Sequence, residues 1–181
     1  SNIPMNHQSS FNFKPLHEQD INLLYHWFQE PNINRWYARG MVWSLDMVTK
    51  KYLPRIYGQD NVPSFIVYLD KQAIGFIQYY CFKDHLPEGI SHTKNALFQK
   101  YQPNELAGVD LFIAAGDNRG KGLGKHMLDI FTENLPNTFR AVVVDPAINN
   151  YQAIHCYEKA GFQHTEYSED KDYLLLLKTL R

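Results

Sequence analysis

Three glycines at alternate positions, Gly120, Gly122 and Gly124, are the first feature of this 181-residue chain that could hold a ligand. Glycine tolerates positive φ and lets a ligand approach the backbone closely. A turn built from such residues can aim successive N–H groups at one point, and a helix start behind it adds its own free N–H groups. An anion such as a pyrophosphate suits that place. Arg119, Lys121 and Lys125 bring positive charge to it. The segment also reads as a plain strand-to-helix turn with a solvated basic edge. Two sharper phosphate motifs fail on spacing. A P-loop, GxxxxGK(S/T), would need glycine in place of Arg119 and Ser or Thr in place of His126. The dinucleotide fingerprint GxGxxG would need glycine in place of Lys125.

Other reactive residues carry less. The two cysteines, Cys81 and Cys156, lie far apart and form no CxxC, so a disulfide framework is not expected and a reducing cytoplasm is. Cys156 has no neighbouring base in sequence and reads as a small buried hydrophobe on a helix. The eight histidines form no HExxH or other metal-ligand spacing, so no metal is expected.

The elements that position the turn follow from periodicity. Residues 11–14 alternate like an edge strand. Ile21, Leu24, Tyr25 and Phe28 recur at helical spacing, and Pro31 closes that helix. A second helix starts near Ser44 on the face Leu45, Val48, Tyr52, Leu53 and Ile56, with Pro54 predicting a kink or an early end. Residues 64–69 read as a strand, Asp70-Lys71 as a turn and 73–82 as the hairpin partner. The polar, aperiodic stretch 83–107 is too long for a neutral connector and reads as a substrate loop or a disordered insertion.

Residues 108–115 form the strand that enters the glycine turn. Leu123, Met127, Leu128, Phe131 and Leu135 mark the helix that leaves it. Residues 140–144 are a short apolar strand. Residues 149–160 form a helix that Gly161 stops, and 162–167 pairs with 173–178. The order β-α-α-β-β-β-α-β-α-β-β, without internal repeat, predicts an α+β fold with helices over a single mixed central sheet. One domain over 1–181 is expected, with 1–10 flexible.

Composition closes off other classes. The chain is 44% hydrophobic with a formal net charge of −1, as expected for an ordinary globular domain. Its basic residues form no stripe for nucleic acid and no polybasic membrane anchor. No apolar run approaches the ~20 residues of a membrane helix.

Arg119-Gly120-Lys121-Gly122-Leu123-Gly124 fits the pattern Q/R-x-x-G-x-G/A, and residues 149–162, ending Tyr157-Glu158-Lys159-Ala160-Gly161-Phe162, fit Nxx(A/S)xxxYxxxGF. Together they resemble the GNAT superfamily of acetyl-CoA-dependent N-acetyltransferases. Within it the chain looks like the aminoglycoside 6'-N-acetyltransferases, through Arg35-Trp36-Tyr37, Tyr52-Leu53-Pro54, 74–80, Gly108-Val109-Asp110 and Asp145-Pro146. The resemblance implies a bulged strand over 109–115 that splays from 140–144, with the pantetheine of acetyl-CoA in the gap. An N–H near Leu111, Phe112 or Ile113 then meets the thioester carbonyl. Arg119, Gly120, Lys121, Gly122, Leu123, Gly124 and Lys125 hold the pyrophosphate, and Asn149 caps the last helix or touches pantetheine.

Asp110 is expected on the acceptor side. An aliphatic amine is protonated at neutral pH, and a carboxylate can bind the ammonium and pass its proton on. Tyr157 either meets the CoA sulfur or packs as a core aromatic. Trp36, Tyr37, Tyr79, Glu105 and Asp145 are expected to bind substrate, with Tyr80 in the same aromatic wall. Direct transfer in a ternary complex is expected, in a monomer or homodimer, to a small-molecule amine and not to nucleic acid or membrane. The 6'-amine of an aminoglycoside is the leading acceptor. A polyamine, a siderophore precursor or a peptide N-terminus remains open, because Glu105, Ala38 and Arg39 give a polycation little negative charge. A non-catalytic acyl-CoA-binding domain is a third reading.

Overall fold

A computed structural model describes residues 10–114 and 122–181. The expected phosphate ligands Arg119, Gly120 and Lys121 lie outside the described residues, as do 1–9. Ser10, expected in a flexible start, is already tied to Asp70 by two hydrogen bonds.

Period-two alternation builds one side of the sheet. β1 (Phe11–Pro15) turns Phe11 and Phe13 to a single face. β2 (Ser64–Leu69) and β3 (Gln72–Cys81) form a hairpin whose turn places Asp70 at φ 56°. β4 (Leu106–Ile113) continues antiparallel to β3. β5 (Ala141–Val144), apolar at every position, is buried on both faces, as suits a central parallel strand. β6 (Gln163–His164) and β7 (Leu176–Thr179) complete a seven-stranded sheet in the order β1-β2-β3-β4-β5-β7-β6. The predicted α+β class with one mixed sheet is what forms.

Helices cover both faces. α4 (Leu123–Glu133) and α5 (Tyr151–Lys159) lie on one, where Met127, Leu128 and Phe131 pack against Ile77, Val109, Val142 and Val144. α1 (Ile21–Phe28), α2 (Pro31–Trp36) and α3 (Leu45–Ile56) lie on the other, with Leu24, Phe28, Ile33, Val48 and Tyr52 against Ile66, Phe76 and Phe112. Pro31 does not only end α1. It opens α2, because a first helical position needs no N–H and accepts proline's fixed φ. Pro54 sits in the last turn of α3, which ends two residues later.

The stretch 83–105 is ordered rather than a disordered insertion. Ile90 and Leu97 bury against Tyr80, Leu106 and Val143, short 3-10 turns break its path, and Asn95 Nδ2 donates to Tyr167 O at 2.8 Å. Its apolar residues lack regular spacing because they are set by single-turn helices.

β4 and β5 pair only from Leu106–Gly108 to Ala141–Val143, so the predicted splay is present. Beyond Val144 the chain bends toward β7, with Leu174 N donating to Pro146 O and Ile148 N to Asp172 O, both at 2.9 Å. The predicted bulge in β4 is absent. Its register with β3 is unbroken from Gly75↔Ile113 to Cys81↔Ala107, and the irregularity falls between β2 and β3 at Val67/Tyr68. The divergence comes from β5, not from a distortion of β4.

Candidate active site

Backbone hydrogen bonds fix the direction of the peptide groups on β4. Ala114 N donates to Ile74 O at 2.7 Å and Phe82 N to Leu106 O at 3.0 Å. Even-numbered residues of β4 therefore face β3 with both N–H and C=O, and odd-numbered residues face β5. Leu111 thus turns its peptide groups toward the side from which β5 has departed. Such an edge can pair with the amides of an extended ligand. Phe112, expected as an alternative N–H donor, is directed to β3 instead, and its ring is locked among Trp27, Phe28, Tyr37 and Phe76.

A cavity of about 930 Å³ follows this edge. At one end it meets Gly122, Leu123, Gly124 and Lys125, where α4 begins. Gly122 caps that helix at φ 73°, a conformation that disfavours other residues. A methyl group on Gly124 would come within 2.9 Å of Cys156 Sγ, so glycine lets α4 and α5 close together. Lys125 lines the cavity, but its ammonium is engaged by Asp129 at 2.6 Å. The acceptor end is walled by Trp36, Tyr37, Arg39, Lys51, Tyr80 and Asp110. A substituent on Gly108 would overlap the Tyr80 ring, so this glycine seats that wall residue.

Asp110 stands on a central strand, in the cavity wall. Gln78 Nε2 donates to Asp110 Oδ2 at 2.9 Å, and Gln78 Oε1 accepts from Arg55 Nη1 at 2.8 Å. Arg55 Nε in turn meets Asp60 Oδ2 at 3.1 Å, and Asp60 Oδ1 meets His85 Nε2 at 2.8 Å. Burial pushes the Asp110 carboxyl above its usual range, against the opposing pull of the Gln78 hydrogen bond and of Arg55 and Lys51. Asp145 lines the same cavity and accepts from Glu88 N at 2.7 Å. Burial, then the charge of Asp110, holds it well above the normal value.

Tyr157 also lines the cavity, with its ring 5.8 Å from Phe162. Burial raises its phenol well above its usual value, so it stays protonated and able to donate. Burial likewise pushes up the Cys156 thiol, against a role as a thiolate nucleophile.

Three expected site residues lie elsewhere. Tyr79 is on the opposite face of β3 from Gln78 and Tyr80, with ring centroids 6.0 Å from Phe131 and 5.9 Å from Phe139. Alternation along the strand makes this unavoidable once Gln78 faces Asp110. Glu105 Oε1 accepts from Gln102 N at 2.8 Å and Oε2 meets Arg140 at 3.6 Å, so it caps the 3-10 turn before β4, outside the cavity lining. Asn149 is exposed and does not cap α5. Asn150 Oδ1 accepts from Ala153 N at 3.4 Å, and Asn150 lines the cavity. The motif spacing already favoured it, because Nxx(A/S) ending at Ala153 requires Asn150. Gln78, Lys51 and Arg55 carried a weaker signal, as polar residues on otherwise apolar faces. Among the described residues no group of His, Cys, Asp or Glu side chains is arranged to hold a metal ion.

Known proteins bear on this geometry. The model of the acetyltransferase (GNAT) domain matches residues 17–169. The chain is 29% identical over 167 residues to an aminoglycoside N(6')-acetyltransferase type 1 of Klebsiella pneumoniae, covering 89% of this chain and 78% of that protein. It is 27% identical over 163 residues to the acetyltransferase PseH of Campylobacter jejuni, covering 90% and 87%. The crystal structure of aminoglycoside acetyltransferase AAC(6')-Ib with coenzyme A and kanamycin superposes with a TM-score of 0.78 at 27% identity, over 94% of this chain and 95% of that one.

Proposed function

The chain belongs to the GNAT family and is an acetyl-CoA-dependent N-acetyltransferase, and on that premise we propose that it acetylates a primary amine of a small molecule held at Asp110. The observation that carries this reading is the placement of Asp110, the open edge at Leu111, Tyr157 and the start of α4 in one cavity.

Acetyl-CoA supplies the acetyl group as a thioester, whose carbonyl carbon the amine nitrogen attacks. The Leu111 N–H is placed to donate to that carbonyl oxygen as it gains charge. The start of α4 at Gly122 receives the pyrophosphate. Asp110 keeps Oδ2 on Gln78, binds the ammonium, and takes one proton from it before attack, which frees the nitrogen lone pair. The Tyr157 phenol gives a proton to sulfur as the C–S bond breaks, and the second nitrogen proton, lost as the tetrahedral intermediate collapses to the amide, replaces it through solvent. Cys156 takes no part, so transfer is direct and rests mainly on positioning.

The finer acceptor, the 6'-amine of an aminoglycoside, draws its support from the names of the relatives. The chain's own acceptor wall, with Arg39, Lys51 and Arg55 beside Asp110, favours a primary amine on a less cationic scaffold. Release of CoA across aminoglycosides, polyamines and peptides tests the reading. Binding of acetyl-CoA without transfer to any amine would overturn it.

A further inference from the structure

The acceptor half of the cavity is lined by four cationic side chains, Arg35, Arg39, Lys51 and Arg55, facing the carboxyls of Asp110, Asp145 and Glu88. Two of the four are neutralised by neighbours: Arg55 by Asp60 at 3.1 Å and Arg39 by Glu88 at 3.1 Å. Among the described residues Arg35 and Lys51 form no ion pair. Arg35 stacks on Trp36 at 4.3 Å, and Lys51 lies 5.2 Å from the Trp43 ring centroid. Lys51 stands one turn before Arg55 on α3, near enough to Asp110 to feel its charge. Burial most of all, then the positive neighbours Arg55 and Arg39, lower its pKa against the pull of Asp110 and Asp60, to about 8, so at neutral pH it is a largely buried cation without an ion-pair partner. Tyr37 lines the same wall, and its buried hydroxyl lies against that of Tyr52.

A largely buried charge without an ion-pair partner is costly unless a ligand completes it. An acceptor that brought only positive charge would set its ammonium at Asp110 against Lys51 and leave that cation unmet. Resting on the reading that this site acetylates an amine, we propose that the acceptor also carries an anionic oxyacid group, a carboxylate or a phosphate, bound by Lys51 and Arg35 while Asp110 holds the amine. The site is dipolar, with a carboxylate on the sheet and cations on α2 and α3. A polycation matches only half of it.

Matched acceptors test this with the full chain and saturating acetyl-CoA. Glucosamine 6-phosphate is set against glucosamine, lysine against cadaverine, and kanamycin is added as a polycation. The phosphate and carboxylate pairs separate the two sources of anion. At least one member that carries the anionic group should exceed its partner that lacks it by about tenfold or more in kcat/KM, the scale of a hydrogen bond to a charged group. Lys51→Met and the rim variant Arg35→Gln should each shrink that ratio several-fold. Circular dichroism confirms that both are folded. Preference for kanamycin or for both partners that lack the anion, or a ratio unmoved in both variants, would overturn the inference and leave amine acetylation standing. Failure of every amine would overturn both.

Discussion

Gln78 Nε2 donates to Asp110 Oδ2 at 2.9 Å across the β3–β4 pair, while the carbonyl end of the same amide accepts from Arg55. The amide can therefore take only one orientation, and it leaves Asp110 Oδ1 to face the cavity. Residues 78 and 110 stand directly opposite in the register, so the contact is fixed by strand pairing. Replacing Gln78 with Leu should lower kcat/KM by about tenfold, and cost about 1–3 kcal/mol of stability for the buried groups left unpaired. A purely structural role would stop there. Loss of the hydrogen bond that lowers the Asp110 pKa should also move the acidic limb of the pH–rate profile to higher pH, which initial rates across pH would reveal.

Asp110→Asn removes the group that holds the ammonium and takes its proton. A fall in kcat/KM of about 10²-fold is expected, the usual scale of general acid–base contributions. Acetyl-CoA affinity, read by isothermal titration, should barely change. Raising the pH should restore part of the rate as free amine becomes more abundant. A folding defect would weaken cofactor binding too and show no such rescue.

Asp145→Asn should stabilise the protein above mildly acidic pH. The folded-state pKa of Asp145 is raised by burial and by Asp110, so the native state binds more protons than the unfolded state between the unfolded value and the raised one. Stability is then lost as pH rises through that window, and is fully retained below the unfolded value. The variant escapes this loss. Its Tm advantage should vanish near pH 4 and grow at neutral pH, by about 2–4 °C for each kcal/mol relieved. Equal Tm values for the two proteins across this range would show that Asp145 carries no such burden.

Gly122→Val places a β-branched residue at φ 73° at the start of α4. Among the described residues, its chain neighbours aside, no atom lies within 4 Å of the added Cβ, so the cost is in the backbone rather than in a clash. The turn should distort, raising the KM for acetyl-CoA with little change in kcat at saturation. An unchanged KM in a folded variant would move the pyrophosphate away from this turn.

The fold was largely legible because its strands carry alternation and its helices carry apolar faces. Residues 64–69 and the helix from Leu123 stand where their patterns predicted. Pro31 misled because its position, and not its presence, decides between ending a helix and opening one. At the cofactor end the described part of the glycine turn, Gly122 and Gly124, stands at the start of α4 as its spacing predicted. The acceptor end was legible only in part. Trp36, Tyr37, Asp110 and Asp145 line the cavity as expected. Tyr79 and Tyr80 are adjacent aromatics in sequence, and only the register with Asp110 shows which one meets the cavity. Glu105 precedes β4 closely in sequence, yet it caps the turn before that strand and stays out of the cavity. Lys51 and Arg55 are one turn apart on a helix that sequence alone did not bring to the site.

One measurement tests the central claim most directly. Acetyl-CoA labelled with carbon-13 at the acetyl carbonyl is mixed with the enzyme and the best amine, and the label is followed by NMR and by mass spectrometry of the protein. The label should move to an amide on the acceptor, none should reside on the protein, and Asp110→Asn should slow its appearance by about 10²-fold. Label that accumulates on the protein, goes only to free acetate, or reaches the amine equally fast in Asp110→Asn would contradict the account.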